Sequence, residues 1–162
     1  DKNEIFTTVG LGALKYFILK VDPRKNMTFD PVESVDFNGN TGPFIQYTHA
    51  RIRSVLRKAE ESGLDPGIVK GLHPNPKEID LIKRIYFFPE VVSDAGHDLN
   101  PAVIANYCYE LAKEFNQFYH DYSIMNAESE SSKKFRLLLS GVVVRTIATS
   151  MQLLGMEMPE RM

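Results

Sequence analysis

Ile104, Cys108, Leu111, Phe115, Phe118 and Tyr122 follow one another at spacings of four, three, four, three and four residues. That rhythm returns apolar side chains to one face of an α-helix at every turn. It excludes a strand, whose faces alternate every second residue. Asn100-Pro101 opens the segment, so the spacing predicts a helix from there to about Tyr122. One unbroken apolar face of this length needs partners to cover it, and the rest of the chain offers helices rather than strands.

Glu4 to Lys20 reads as a helix with Ile5, Leu11, Leu14 and Ile18 among its apolar positions. Gly10 and Gly12 each weaken it by about 1 kcal/mol, a cost that suits close packing against a neighbour. Asp22-Pro23 stops it, because the residue before proline is pushed out of helical geometry. Residues 23–42 are loop-rich, with a short helical turn after Pro31. Two glycines and two asparagines in Phe37-Asn38-Gly39-Asn40-Thr41-Gly42 then favour turns with positive φ. From Pro43 to Glu61 a long helix is expected, capped by Thr41 or Asn40 and ended by Gly63. Ile45, Ile52, Leu56 and Ala59 fall in one wedge at about 100° per residue, widened by Phe44, Thr48 and Val55. Tyr47, Arg51, Ser54 and Lys58 lie opposite. After a linker over 63–75, Asn75-Pro76-Lys77-Glu78 has the make-up of a capping box. Its helix is expected to reach Phe88; Pro89 separates a short helix near Glu90–Ala95, closed by Gly96. The last helix, about Ser131 to Leu154, is apolar nearly all round and is therefore placed centrally, with Gly155 ending it. No segment alternates as a strand and no repeat is visible. The expected fold is all-α, an antiparallel helical bundle of about five to six helices.

Composition narrows function mainly by exclusion. A chain of 162 residues, 43% hydrophobic and 25% charged, fits a globular domain. Nineteen basic against 21 acidic residues give a net charge of −2, which announces no nucleic-acid binder. The single Cys108 rules out an internal disulfide framework and a zinc site built on several thiolates. The longest apolar run, Leu137 to Val144, stops at Arg145, far short of the roughly 20 residues a bilayer requires, so no membrane partner is expected. A free cysteine and no charged-then-apolar leader lead us to expect a cytoplasmic protein. A start without Met that runs almost directly into a helix suggests a piece of something larger. His49, His73, His97 and His120 show no metal-ligand spacing. No glycine-rich phosphate loop and no nucleophile elbow is present. His120 and Asp121 are adjacent, and neighbours in a helix do not face each other. We therefore expect no catalytic residue, no metal and no cofactor in this chain.

Two small groups remain. Tyr47 and Arg51 stand one above the other at i, i+4, and Lys58 lies two turns further along the same face. An aromatic ring beside guanidinium and ammonium groups suits a single-stranded nucleic acid, with stacking for a base and charge for phosphates. The alternative is a solvated helix face. Tyr119 sits on the shoulder of the stripe, three residues after Asn116, whose amide can read a base edge; the alternative is a boundary tyrosine with its ring packed. Met162, at the terminus, has no local reason to be ordered.

Longer strings carry a resemblance. Gly10-Leu11-Gly12-Ala13-Leu14-Lys15-Tyr16, Phe29-Asp30-Pro31, and the block Gly39-Asn40-Thr41-Gly42-Pro43-Phe44-Ile45-Gln46-Tyr47-Thr48-His49-Ala50-Arg51 resemble the C-terminal part of arginyl-tRNA synthetases. So do Leu111-Ala112 with Phe115-Asn116-Gln117-Phe118-Tyr119, and the ending Pro159-Glu160-Arg161-Met162. The resemblance implies a class I ligase that joins arginine to its tRNA with ATP and Mg in a catalytic domain whose signature this chain lacks. Residues 1–22 would then be the last helix of that domain, and 23–162 the helical anticodon-binding domain. The 162 residues alone should be inactive as an enzyme. The resemblance puts Tyr47 and Arg51 at the anticodon face, the loop Asp36 to Asn40, with Asn38 and Gly39, alongside the anticodon, and Tyr119 and Met162 near a flipped base; Lys58 and Asn116, placed by helical spacing, complete the expected tRNA site. The family's arginine tRNAs mostly share a cytosine at the middle anticodon position. Phe44 stands where a Tyr is frequent, and Thr48 replaces a common Ala, read as a packing change. Expected partners are arginine tRNA and neither membrane nor DNA, for a monomer. The rival readings are the tRNA-binding domain of another class I synthetase and a helical protein–protein module.

Overall fold

The computed structural model describes residues 2–162 and contains, among them, six helices, one four-residue helical turn and no strand. They are α1 (Lys2–Leu19), the turn α2 (Pro31–Ser34), α3 (Gly42–Glu61), α4 (Pro76–Tyr86), α5 (Phe88–His97), α6 (Ala102–Asp121) and α7 (Glu130–Leu153). The all-α expectation holds.

The starts are built as their chemistry requires. Asp30 Oδ1 accepts from the amides of Val32 and Glu33, and Thr41 Oγ1 from the amide of Phe44. At Asn75 the capping box closes in both directions: its side chain accepts from Glu78 N, and Glu78 Oε2 accepts from Asn75 N at 2.8 Å. Helix α3 ends with Gly63 at φ 68° and α7 with Gly155 at φ 71°. In each the following amide reaches back five residues, Leu64 to Ala59 and Met156 to Met151, both at 2.9 Å. Two expected boundaries move. Helix α4 stops at Tyr86 rather than Phe88. Gly96 does not close α5: the helix runs on to His97, Asn100 N bonds back to Ala95 O, and Leu99 takes the left-handed position at φ 50°.

Helices α3, α6 and α7 pack on one another, α1 covers α3, and α4 and α5 cover α6. Within the stripe of α6, Ile104, Cys108, Leu111, Phe115 and Phe118 are all buried. Helix α7 is central as expected, with only a narrow strip at Val142, Arg145 and Thr149 exposed in its middle. Three of its buried hydroxyls are satisfied within the helix: Ser140 donates to Arg136 O, Thr146 to Val142 O and Ser150 to Thr146 O. Arg136 is also buried. It donates to Glu78 Oε1 at 2.7 Å, to Ser123 O and to Glu128, and lies over the Tyr122 ring.

The two glycines of α1 differ. A Cβ on Gly12 would meet the Gln46 side chain at 2.5 Å, and one on Gly42 would meet Gly12 O at 2.7 Å, so these two let α1 and α3 touch. A Cβ on Gly10 would meet nothing within 4 Å, so Gly10 has no packing role. The outer face of α1 leaves Phe6, Leu11, Leu14 and Ile18 exposed. Among the described residues no helix is long and apolar enough to cross a membrane.

Candidate nucleic-acid interface

The N-terminal half of α3 lies against α6, which turns Tyr47 and Arg51 toward Asn116. The Arg51 guanidinium sits over the Tyr47 ring, 4.7 Å from its centroid, and Nη1 donates to Asn116 Oδ1 at 3.0 Å. Asn116 Nδ2 donates to Thr48 Oγ1 at 2.8 Å, and the Thr48 hydroxyl donates to Phe44 O at 2.9 Å. Thr48 is fully buried. Reading it as a packing change was therefore incomplete, because its hydroxyl joins α3 to α6. Phe44 packs its ring against Tyr109, with centroids 5.5 Å apart.

The basic side chains of α3 differ in their pairing, while Lys25, Lys70, Lys83, Lys134 and Arg145 elsewhere are exposed and, like Arg51 and Lys58, form no ion pair among the described residues. Arg53 and Arg57 pair with Glu160, Arg84 with Glu114, Lys77 with Asp121, and Arg136 with Glu78 and Glu128. Arg51 and Lys58 have no acidic partner among the described residues. Lys58 is exposed two turns beyond Arg51, and Tyr47 is 42% exposed. An anion meeting this face finds positive charge that no carboxylate neutralises.

Beside it stands the loop before α3. Phe37 sets its ring edge-on to Tyr47, centroids 6.3 Å apart. Asp36 Oδ1 accepts from both the backbone amide and the side chain of Asn38, and Gly39 has φ 82°. Asn38 and Gly39 are exposed. Asn40 is an anchor: its Oδ1 accepts from the Tyr16 hydroxyl at 2.6 Å, its carbonyl from Lys20 Nζ, and its Nδ2 donates to Asn106 Oδ1. Tyr119, three residues after Asn116, is half-buried and stacks on Phe115 with centroids 6.2 Å apart.

The tail runs along a different side of α3: Gln46 Nε2 donates to Glu157 O, His49 Nδ1 to Pro159 O, Arg57 to Glu160 O, and Arg53 to the Glu160 carboxylate. Lys15 Nζ adds a bond to Gly155 O. Arg53 and Arg57 lie roughly 120–160° round α3 from Arg51 at 3.6 residues per turn. Met162, two residues beyond Glu160, is 43% exposed.

The structure thus unites Tyr47, Arg51 and Asn116, sets Tyr119, Lys58, Asn38 and Gly39 around them and ties Asn40 into the scaffold. Sequence reasoning placed the loop holding Phe37 beside the site but missed the hydroxyl of Thr48. The spacing of Thr48 from Arg51 hints that they share a side of α3, but nothing local pairs that side with Asn116. His120 and Asp121 do meet, at 2.9 Å, because Asp121 ends α6 and its side chain turns back; both are exposed. The His120 contact, with Lys77 second, holds the Asp121 carboxyl below the usual carboxylate range. Burial dominates at His49, whose pKa is lowered, and pushes the Cys108 thiol up to about 12. No three His, Cys, Asp or Glu side chains converge to hold a metal ion among the described residues.

Comparisons with known proteins show the family. Residues 45–162 match the family described as the DALR anticodon binding domain. The whole chain is 60% identical to part of an arginine–tRNA ligase of Phocaeicola vulgatus and covers 27% of it. It is 57% identical to part of the Porphyromonas gingivalis ligase, covering 28%. Among solved structures, the Thermus thermophilus arginyl-tRNA synthetase matches the whole chain over 28% of its own length, with a TM-score of 0.88 and 34% identity. The chain spans little more than a quarter of these relatives.

Proposed function

Because the chain belongs to the DALR anticodon-binding domain family, we propose that it holds the anticodon arm of an arginine tRNA on the face made by Tyr47, Arg51, Asn116 and Tyr119. The reading rests on one observation above the others: a guanidinium with no acidic partner, held over an exposed tyrosine by a fixed amide. Such a pair offers a base a flat surface and a phosphate a charge. Asn38 and Gly39 line the approach, Asn40 sets their position, and Lys58 supplies a phosphate contact further along α3. Met162 closes the site from the tail once the RNA is bound. The parent activity is ATP-dependent ligation of arginine to tRNA, carried out in the cytoplasm by a longer monomeric protein. ATP and Mg belong to its catalytic portion.

The test is binding of arginine tRNA to the 162-residue chain at two salt concentrations, beside a tRNA with the middle anticodon base changed. Binding should weaken steeply with salt, since each neutralised phosphate releases counterion. Tyr119→Ala should cost about 1–3 kcal/mol and reduce discrimination at that base. Lys58→Ala should weaken all tRNAs alike and lower the salt slope by about 1. Removal of Met162 should act like Tyr119→Ala. Salt-insensitive binding, or equal affinity for both tRNAs in every variant, would favour a protein-binding module instead.

A further inference from the structure

We propose that Thr48 is a positioning residue for this interface: its hydroxyl orients the Asn116 amide, which in turn fixes Arg51 over the Tyr47 ring. The inference rests on the reading of Arg51 as an RNA-facing cation. Thr48 has one hydroxyl proton, and the Phe44 carbonyl, 2.9 Å away, takes it. Toward α6 the oxygen can then only accept. Asn116 must turn its NH2 to Thr48, which leaves Oδ1 facing Arg51 Nη1 at 3.0 Å. The two ends of an amide are nearly equal in size, so packing alone does not choose between its orientations. The reversed orientation would set two donors, the amide NH2 and the guanidinium, against each other. A buried hydroxyl with a committed proton removes that choice. Ser140, Thr146 and Ser150 in α7 also donate to the carbonyl four residues back, and Ser150 meets a partner across helices too, the Cys108 thiol of α6, but none of the three receives an amide whose orientation it must fix. The link from Thr48 is therefore more than the habit of a helical hydroxyl.

The consequence concerns Arg51 alone. Its charge stays whatever happens at Thr48; what changes is how firmly the guanidinium is held in place before RNA arrives. An unaimed side chain must be ordered at the moment of binding, and that ordering weakens affinity. Thr48→Ala should leave the fold intact, because an alanine fits the space and suits a helix. It should weaken tRNA binding about two- to ten-fold, the range of one neutral hydrogen bond, with the salt slope unchanged. Thr48→Ser keeps the hydroxyl and should bind like the parent chain. In an Asn116→Ala background, Thr48→Ala should cost nothing further.

A second measurement needs no RNA. In the free chain the Arg51 Nε–Hε resonance should be displaced by the Tyr47 ring current. It should move toward the position of a free arginine in Thr48→Ala and return in Thr48→Ser. An unchanged resonance in Thr48→Ala, failure of Ser to restore it, or full additivity with Asn116→Ala would overturn the positioning role. If the resonance responds as expected but Arg51→Ala leaves tRNA affinity unchanged, the RNA-facing reading of Arg51 falls, and the proposal with it.

Discussion

Replacing Glu78 by Gln should be among the most damaging single changes available in this fold. The Glu78 carboxylate does two jobs with its two oxygens. Oε2 accepts from Asn75 N at 2.8 Å and completes the cap of α4, while Oε1 accepts from Arg136 Nε at 2.7 Å and joins α4 to α7. Both side chains of the ion pair are only 5% exposed. Glutamine keeps the shape but has one acceptor where two donors converge, so its NH2 must face either an amide or a guanidinium. Losing one partner of a buried pair costs about 3–5 kcal/mol. Arg136 keeps Ser123 O and Glu128, which argues for the lower end, near ~3 kcal/mol. For a domain of this size each kcal/mol lowers Tm by roughly 2–4 °C, so a fall of about 6–12 °C is expected. Thermal melts followed by circular dichroism at 222 nm measure it. Glu128→Gln is the control: that carboxylate is largely exposed and should matter far less. Removing both charges with Glu78→Gln and Arg136→Met should recover part of the loss, since the cost lies mainly in the stranded guanidinium. Equal melting temperatures for Glu78→Gln and Glu128→Gln would refute the reasoning.

Other substitutions and conditions follow from single features. Leu99→Gly should stabilise the chain by about 1 kcal/mol, because an L side chain in the left-handed region costs roughly that much and Leu99 is 82% exposed with little packing to lose; an unchanged urea midpoint would count against it. His49 has its pKa lowered by burial, so below the unfolded value of about 6.5 the unfolded chain binds a proton that the folded chain refuses. Stability should therefore fall as pH drops through that value, and His49→Gln should flatten this part of a urea-midpoint series from pH 7.5 to 5.5. Cys108, buried with its thiol pushed up to about 12, should resist a thiol reagent in the native chain and react at once in denaturant; rapid native labelling would contradict its placement in the core.

Much of the fold is legible in the sequence because it is local chemistry. The stripe from Ile104 to Phe118, the capping box at Asn75 and the glycine stops at Gly63 and Gly155 each act within a turn or two of themselves. Gly96 misled for the same reason: a glycine near a helix end invites a stop, yet the backbone reverses three residues later at Leu99, where Asn100 caps α6 by accepting from Ala102 N. Tyr47 and Arg51 are readable as a pair because helical spacing brings them together. Their fixation is not, because it depends on Thr48 meeting Asn116 across 68 residues of chain. Only the packing of α3 on α6 creates that contact. The course of the tail is equally hidden, since no period links residues 155–160 to the file of Gln46, His49, Arg53 and Arg57.

That file grips the tail chiefly by its main chain. The carbonyls of Glu157, Pro159 and Glu160 accept three of its four bonds, Lys15 of α1 adds a fourth carbonyl bond at Gly155, and Glu160 alone contributes a side chain. Every residue has a carbonyl, so α3 measures this segment by counting it. Glu157 or Pro159 can be exchanged for many other residues with the acceptors still in step. Deleting one residue between Met156, whose side chain is buried in the core, and Glu160 would put each acceptor opposite the wrong donor. Along this stretch the protein tolerates spelling changes and forbids frame changes, and the residues bound to keep their identity are those of α3.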